Sequence, residues 1–204
     1  NGRIGYIYIP DMGPEGLNEF SRYFYPQLDK EGLIIDDRAN GGGNVSPMIL
    51  ERLSREPYRL TMRRGASLIG TVPDAVQVGP KVCLINKYSA SDGDLFPWGF
   101  RALGLGKLIG TRTWGGIIGI SGPLPYMDGT DIRVPFFTSY DPKTGNWIIE
   151  NHGVDPDILI DNDPIKEWNG EDQQLDRAIE EVMKQLKERK PLAPVPAPRD
   201  WSHK

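Results

Sequence analysis

The sequence predicts an α/β fold, because segments typical of buried strands alternate with segments that have the periodicity of helices. Residues 4–9 are rich in β-branched and aromatic side chains, which favours a buried strand. Residues 15–28 carry apolar side chains at helical spacing, and Pro26 is expected to disturb the last turn. Residues 32–36 predict a second strand, so we expect two parallel strands joined by a right-handed crossover.

The middle of the chain continues this alternation. In chain order it predicts a helix at 46–53, strands at 58–62 and 82–86, a turn at 89–94, and a helix that ends near 104–106. Pro97 conflicts with the second of these helices, because proline is tolerated well only in the first helical turn.

The last third of the chain predicts additional β-strands and a C-terminal helix. In chain order it predicts a short strand at 108–110, a glycine-rich loop at 114–122, a β-pair of 131–137 with 146–150 joined by a turn at 141–145, and a charged amphipathic helix at 171–189. We therefore expect one domain over residues 1–190 and a proline-rich, flexible tail over residues 191–204.

Composition limits the classes of function. The 204 residues include 24 basic and 28 acidic side chains, a net charge of −4, whereas nucleic-acid binding needs a concentrated basic surface. The nearest basic run, Arg63-Arg64, is expected to be a solvated edge. The single cysteine, Cys83, lies in an apolar run, which excludes an internal disulfide and a thiolate metal cluster. No apolar stretch approaches the ~20 residues that cross a bilayer, so we expect no membrane partner.

Three loops that follow predicted strands are rich in glycine or small polar residues, and ligands of α/β sheets bind where such loops gather. The glycines at 41–43 would let the backbone approach a ligand or bind an anion, but a flexible turn is the alternative. Ser91 lies at a strand-to-helix turn, the position of a nucleophile elbow, but serine is also a common helix N-cap. Residues 110–116 would either line a pocket or turn tightly around a buried tryptophan.

Four motifs occur in a fixed order. They are Asp-x-Arg-x-Asn-x-Gly-Gly at 36–43, Asn-Lys-Tyr-Ser-Ala-Ser at 86–91, Gly-Lys-Leu-Ile-Gly-Thr-Arg-Thr-Trp-Gly-Gly at 106–116, and Asn-His-Gly-Val-Asp-Pro-Asp at 151–157. Together they resemble the C-terminal-processing peptidase family of serine peptidases over about residues 5–186. One branch of that family uses a lysine about 25 residues after the serine, where this sequence has Gly116. Ser-Asp-Gly at 91–93 and Thr-Trp-Gly-Gly at 113–116 are similar to the tricorn-like branch instead.

The resemblance implies a crotonase/ClpP-like core and a serine peptidase that hydrolyses oligopeptides through an acyl-enzyme, with no metal or cofactor. It implies that Ser91 is the nucleophile and that the N–H of Asp92 is one oxyanion donor. The second donor would come from the glycine cluster, with Gly42 preferred and Gly43 as its neighbour. Glu150 is similar in position to the carboxylate that, with a second serine, orients the histidine base of that branch.

The resemblance also implies that the base lies outside this chain. In the tricorn-like branch the histidine comes from a region before an interposed PDZ domain. Of the two histidines here, His203 lies in the predicted tail, and His152 lies in a loop that by resemblance contributes a carboxylate. The chain begins Asn1-Gly2-Arg3 without Met, which fits a piece of a longer protein. The implied partners are a peptide or oligopeptide substrate, the upstream PDZ and His-bearing regions, and further copies in a homo-oligomer; the resemblance favours the cytoplasm.

Two other functions compete with a peptidase. The glycine cluster alone would suit a crotonase-like acyl-CoA enzyme, which also uses a backbone oxyanion hole, but that function leaves the serine, tryptophan and Glu-Asn-His-Gly motifs unexplained. A catalytically silent domain that only binds peptides is the second alternative, and the presence of Ser91 argues against it.

Overall fold

The computed structural model describes residues 2–62, 69–120, 124–190, 192 and 194–197. Arg63-Arg64 and His203 lie outside the described residues, as does most of the predicted tail. The described tail residues, 192 and 194–197, belong to no helix or strand. Within the described chain, no helix is long and apolar enough to cross a membrane.

A five-stranded parallel sheet forms the centre of the fold. Its strands lie side by side in the order in which they occur along the chain: β1 (Ile4–Tyr8), β2 (Gly32–Asp36), β5 (Lys81–Ile85), β6 (Gly106–Gly110) and β11 (Ile158–Leu159). Every residue of β2 and of β5 is buried, as expected for inner strands of a parallel sheet that is covered on both faces. The predicted α/β class is confirmed, and so is the parallel pairing of the first two strands.

Helices cover the two faces of the sheet. They are α1 (Pro14–Phe24), α2 (Ser46–Leu53), α3 (Asp92–Ala102) and α5 (Gln173–Glu188); the short α4 (Pro164–Trp168) has no buried residue. Along β2, Leu33 and Ile35 pack into a core cluster with α1, α2 and α3, whereas Ile34 packs into a second cluster with α5. This division follows from the period of two along a strand, which sends neighbouring side chains to opposite faces.

Two prolines affect the helices differently. Pro26 falls in a 3₁₀ turn, Tyr25–Gln27, directly after α1, so the expected disturbance of the last turn is confirmed. Pro97 lies inside α3, which nevertheless continues to Ala102. Phe96 and Phe100 are fully buried on either side of it. Burying each of those rings is worth roughly 1.5–3 kcal/mol, which together offsets the ~3 kcal/mol cost of an interior proline.

The edge strand β1 is covered at one point by a side chain. Gln27 accepts a hydrogen bond from the Tyr6 N–H through Oε1 (2.9 Å) and donates from Nε2 to the Tyr6 carbonyl (3.0 Å). A Cβ on Gly5 would lie 2.8 Å from Gln27 Oε1, so the glycine leaves room for this contact. The side-chain amide therefore takes the place of one residue of a neighbouring strand.

The smaller strands lie outside the central sheet. They are β3 (Arg59–Met62), β4 (Ile69–Val72), β7 (Gly119–Ile120), β8 (Leu124–Pro125), β9 (Asp131–Ile132) and β10 (Pro135–Phe137). The strand predicted at 58–62 is β3, which pairs only with β4 in an exposed two-stranded sheet.

The predicted pairing of 131–137 with 146–150 is wrong. β9 pairs with β8 and β10 pairs with β7, while residues 146–150 contribute a single bridge, between Tyr140 and Trp147. The turn at 141–145 does form: the Asp141 carbonyl accepts from the Gly145 N–H at 2.8 Å. The turn was correctly predicted from local residues, but the partner of each strand lies earlier in the chain, and alternation of side chains does not identify it.

Candidate active site

The loops that follow β2, β5 and β6 meet at the carboxyl edge of the central sheet. The Ser89 hydroxyl is buried and donates to the Asp37 carbonyl at 2.8 Å. Asn86 Oδ1 accepts from the Ala39 N–H at 2.9 Å, and the Ala90 N–H donates to the Asn40 carbonyl at 2.8 Å. These bonds fix the loop after β5 against the loop after β2.

Ser91 sits in a strained backbone conformation directly before α3. Its φ and ψ are +57° and −119°, a region that non-glycine residues rarely occupy. Its carbonyl accepts from the Asp94 and Leu95 N–H groups, but its side chain makes no capping hydrogen bond. Ser91 therefore occupies the N-cap position of α3, but its hydroxyl does not cap the helix. A strained, partly exposed serine between a buried strand and a helix has the geometry of a nucleophile elbow.

The glycine loop passes close to Ser91. A Cβ on Gly42, which has a φ of +98°, would lie 2.7 Å from Ser91 Cβ and 2.9 Å from the Asp92 nitrogen. The N–H of Gly42 donates to Asn40 Oδ1 at 2.9 Å, so the structure differs from the expectation that Gly42 is the oxyanion donor. In the described hydrogen bonds, neither the Gly43 N–H nor the Asp92 N–H has an acceptor. Gly42 supplies space beside Ser91, and its neighbours Gly41 and Gly43 both carry N–H groups without an acceptor among the described hydrogen bonds.

The Asp92 side chain holds the segment that follows the glycine loop. Its carboxylate is buried and accepts from the Ser46 N–H at 2.9 Å and from the Ser46 hydroxyl at 2.5 Å. Because Ser46 is the first residue of α2, the bond ties the start of α3 to the segment that follows the glycines. Asp92 thus combines a free backbone N–H with a structural carboxylate.

Two carboxylates share the glycine-rich loop after β6. Asp94 accepts from the Gly115 N–H at 2.7 Å and from the Gly116 N–H at 3.3 Å. Glu150 Oε2 accepts from the next two N–H groups, those of Ile117 at 2.7 Å and Ile118 at 3.0 Å. Burial raises the pKa of Asp94, while hydrogen bonds from Thr113 and from the two glycines oppose the rise. Glu150 is half-buried, and its other oxygen has no donor within the described residues.

The glycines of this loop are required by close contacts. Gly115 has a φ of +89°, and a Cβ there would lie 2.4 Å from the Gly153 nitrogen. A Cβ on Gly116 would lie 2.2 Å from the Trp114 ring. Of the two alternatives left open for residues 110–116, the tight turn describes this backbone, but the expectation that Trp114 is buried is wrong, because its side chain is largely exposed.

His152 lies apart from these contacts. Its Nε2 is 2.7 Å from Asp155 Oδ2, and both side chains are more than half exposed. Within the described residues this is the one side-chain hydrogen bond of His152.

Asp36 and Arg38, from the first motif, hold the C-terminal helix. The Arg38 guanidinium bonds Asp36 at 2.6 Å and Asp172, the N-cap of α5, at 2.8 Å. These hydrogen bonds raise the pKa of Arg38 although burial opposes the rise. Asn40, from the same motif, shapes the glycine loop. One motif therefore serves both the fold and the site.

Asp37 is fully buried and neither of its carboxylate oxygens has a hydrogen-bond partner among the described residues. Burial raises its pKa well above the usual range, and the charges of Asp36, Asp94 and Asp92 add to the rise. Burial therefore favours the protonated form of Asp37. No group of three metal-ligating side chains occurs within the described residues.

Sequence reasoning missed Asn40, Ser46 and Asp94 as residues that shape the site. Asn40 was part of a motif, so the motif itself was a signal. Ser46 and Asp94 are common polar residues near helix starts, and only the meeting of distant loops gives them their roles.

Comparison with known proteins agrees with this geometry. Residues 3–160 match the family model described as Peptidase family S41. The chain is 45% identical over 190 residues to the tricorn protease of Thermoplasma volcanium, covering 93% of this chain and 18% of that protein. It is 38% identical over 187 residues to tricorn protease homolog 1 of Streptomyces coelicolor, covering 92% of this chain and 17% of that protein.

Solved structures of peptidases are also similar to this chain. A crystal structure of the tricorn protease matches with a TM-score of 0.85 and 43% identity, over 91% of this chain and 18% of that one. The photosystem II D1 C-terminal processing protease matches at 22% identity with a TM-score of 0.55, over 78% of this chain and 42% of that one, which shows a shared fold alone. This chain thus spans about a fifth of the length of the curated relatives it matches. The family model and these relatives together show that the chain belongs to peptidase family S41.

Proposed function

We propose that this chain is the nucleophile-bearing domain of a serine peptidase that hydrolyses oligopeptides through an acyl-enzyme at Ser91. The observation that carries the proposal is the strained elbow at Ser91, which is followed by the unbonded Asp92 N–H and packed against the glycine loop at Gly42. Membership of family S41 and the likeness to tricorn proteases support it. Without the family, the same elbow would fit other acyl transfers.

In this mechanism the Ser91 hydroxyl attacks the carbonyl carbon of the scissile peptide bond. A base removes the hydroxyl proton and later gives it to the leaving amine. The carbonyl oxygen becomes an oxyanion that accepts hydrogen bonds from the N–H groups of Asp92 and Gly43, and each such donor is worth roughly 10²–10³ in kcat. Water then attacks the ester at Ser91 and releases the acid product.

We assign the base to a histidine outside this chain. His152 is paired with Asp155, and the described side chains offer Ser91 no other histidine. Glu150 keeps one oxygen free while Ile117 and Ile118 hold the other, so it is available to orient an incoming histidine directly or through a second hydroxyl. The upstream His-bearing and PDZ regions, the peptide substrate and further copies in a homo-oligomer are the partners of this proposal.

Fluorophosphonate labelling tests the split site. The chain and the full-length natural protein that contains it would each be incubated with the probe, and the modified residue would be mapped by peptide analysis. Labelling of the parent at Ser91, with slow or no labelling of the chain alone, is the expected result. Rapid labelling of the chain alone would place the base within it and leave His152 as the candidate.

The Ser91→Ala variant of the parent separates an enzyme from a peptide-binding domain. The expected result is loss of peptide turnover with peptide affinity kept, because the hydroxyl takes part only in the chemical step. If the wild-type parent binds peptides but neither turns them over nor reacts with the probe, the silent binding domain is the correct function.

A further inference from the structure

The link between Ser91 and Glu150 runs through four consecutive backbone N–H groups. Those of Gly115 and Gly116 bind Asp94, and those of Ile117 and Ile118 bind Glu150. A backbone segment held at both ends by carboxylates has few ways to shift without breaking hydrogen bonds. The loop therefore acts as a short rigid connection between the two carboxylates.

The first end of this connection is fixed to the nucleophile. Asp94 lies three residues after Ser91 in the first turn of α3, and its N–H donates to the Ser91 carbonyl at 2.8 Å. Its side chain is fully buried, so it has little freedom to rotate. A displacement of Ser91 relative to the loop would have to break the bonds to Asp94 first.

Two further backbone hydrogen bonds hold the loop. The Trp114 N–H donates to the Ser89 carbonyl at 2.9 Å, and the Asn151 N–H donates to the Gly115 carbonyl at 2.7 Å. The second bond ties the residue after Glu150 to the same loop. Both the backbone and the carboxylate of the Glu150 segment thus take their position from residues 114–118.

We propose that Asp94 is a positioning residue of the peptidase site, which sets the place of Glu150 relative to Ser91 through the N–H groups of residues 115–118. The inference rests on the proposed function, because only an enzyme that uses Glu150 to orient its base needs this alignment. Asp94 touches neither substrate nor base. It acts by keeping the free oxygen of Glu150 where an incoming base can meet both Glu150 and Ser91.

A buried carboxylate would stabilise the fold poorly if that were its only role. Burial disfavours its charge and raises its pKa, so Asp94 depends on its donors to stay ionised. Charged acceptors form stronger and shorter bonds to backbone N–H groups than neutral ones do, which suits a role in which distance matters. The neutral Asp94→Asn variant keeps the shape but loses this strength and presents an N–H₂ group to the glycine N–H.

The test is a double-mutant cycle in the full-length natural protein that contains this chain. It compares wild type, Asp94→Asn, Glu150→Gln and the double variant for kcat, KM and fluorophosphonate labelling rate at Ser91. Asp163→Asn is the matched control, because Asp163 Oδ1 also accepts two backbone N–H groups, those of Ile165 and Lys166, at the start of α4. Asp94→Ser, whose hydroxyl could accept from only one of the two glycine N–H groups, is the second variant if Asp94→Asn does not accumulate as folded protein.

We expect Asp94→Asn to lower kcat about tenfold to hundredfold with little change in KM, because small misplacements of catalytic groups cost rates of this order. In the Glu150→Gln background the further loss should shrink to about threefold or less, because coupled residues give non-additive effects. Asp163→Asn should stay within about twofold of wild type, as expected for a surface change away from the site.

Two results would overturn the inference alone. One is wild-type kinetics in Asp94→Asn, and the other is the same loss in both backgrounds with a parallel fall in thermal stability, which would make Asp94 a residue of the fold only. A wild-type protein without turnover and without label at Ser91 would instead refute the proposed function, and the inference would fall with it.

Discussion

The nucleophile loop, residues 86–91, and the outer segment, residues 118–120 and 124–147, are built in opposite ways. The nucleophile loop is held by bonds from Asn86, Ser89 and Ala90 to the loop after β2. The outer segment has strands of only two or three residues and leaves large apolar side chains exposed, among them Phe136 at 76% and Trp147 at 73%. The chain thus fixes the geometry of its nucleophile by itself, whereas the outer segment gains little stability from its own packing.

The largest difference between the regions should come from adding a methyl group to a glycine. Gly42→Ala would place Cβ 2.7 Å from Ser91 Cβ and 2.8 Å from the Ala90 carbonyl oxygen, at a φ of +98°. We expect kcat/KM of the full-length protein to fall by about 100-fold or more, because the elbow and the Asp92 N–H must shift. Steady-state peptide hydrolysis measures the effect.

Gly129→Ala is the matched control in the outer segment. Gly129 also has a positive φ, +82°, but a Cβ there would have no atom within 4 Å. We expect a stability loss of about 1 kcal/mol from backbone strain and unchanged kinetics. Equal kinetic losses in the two variants would contradict the view that the nucleophile loop is the more constrained region.

Aromatic truncation compares the energies of packing in the two regions. Phe96 is fully buried in α3, so Phe96→Ala should destabilise the protein by about 3–5 kcal/mol through lost burial and a cavity. Phe136 is 76% exposed, so Phe136→Ala should change stability by about 0.5 kcal/mol or less. Urea denaturation of the two variants measures both values, and a large loss for Phe136→Ala would show that the outer segment is packed more firmly than its exposure indicates.

The smallest expected difference is one of pH dependence. Asp37 has a raised pKa in the folded protein, caused first by burial, so its contribution to stability is full below the ordinary aspartate pKa and is lost as pH rises through the folded pKa. Asp128, in the outer segment, has a lowered pKa because its carboxylate accepts from the Thr130 hydroxyl and N–H. Its contribution is present at neutral pH and is lost as pH falls through the folded pKa.

Denaturation at several pH values distinguishes the two aspartates. Asp37→Asn should make the decline of stability above about pH 4 shallower, whereas Asp128→Asn should alter only the acidic side of the curve. An unchanged slope for Asp37→Asn would mean that Asp37 is ionised and paired in the native protein.

The same contrast explains what the sequence predicted. The bounds of β2 and α2 agree with the sequence, because a run of apolar residues and a helical pattern are local signals. Ser91 and the glycines were identified through motifs. The role of Asp94 and the bond from Asn40 to Gly42 were not, since each depends on a loop that is distant in sequence. The partners of β9 and β10 were missed because short exposed strands carry no pattern that selects a partner.

The side chain of Gln27 affects how readily the free sheet edge at β1 can pair with another chain. A free strand edge is a template on which other chains can add strands, and such addition leads to aggregation. By bonding both the N–H and the carbonyl of Tyr6, Gln27 removes two of the backbone groups that an incoming strand would use. One glutamine thus leaves this sheet edge with fewer free backbone groups for edge-to-edge aggregation.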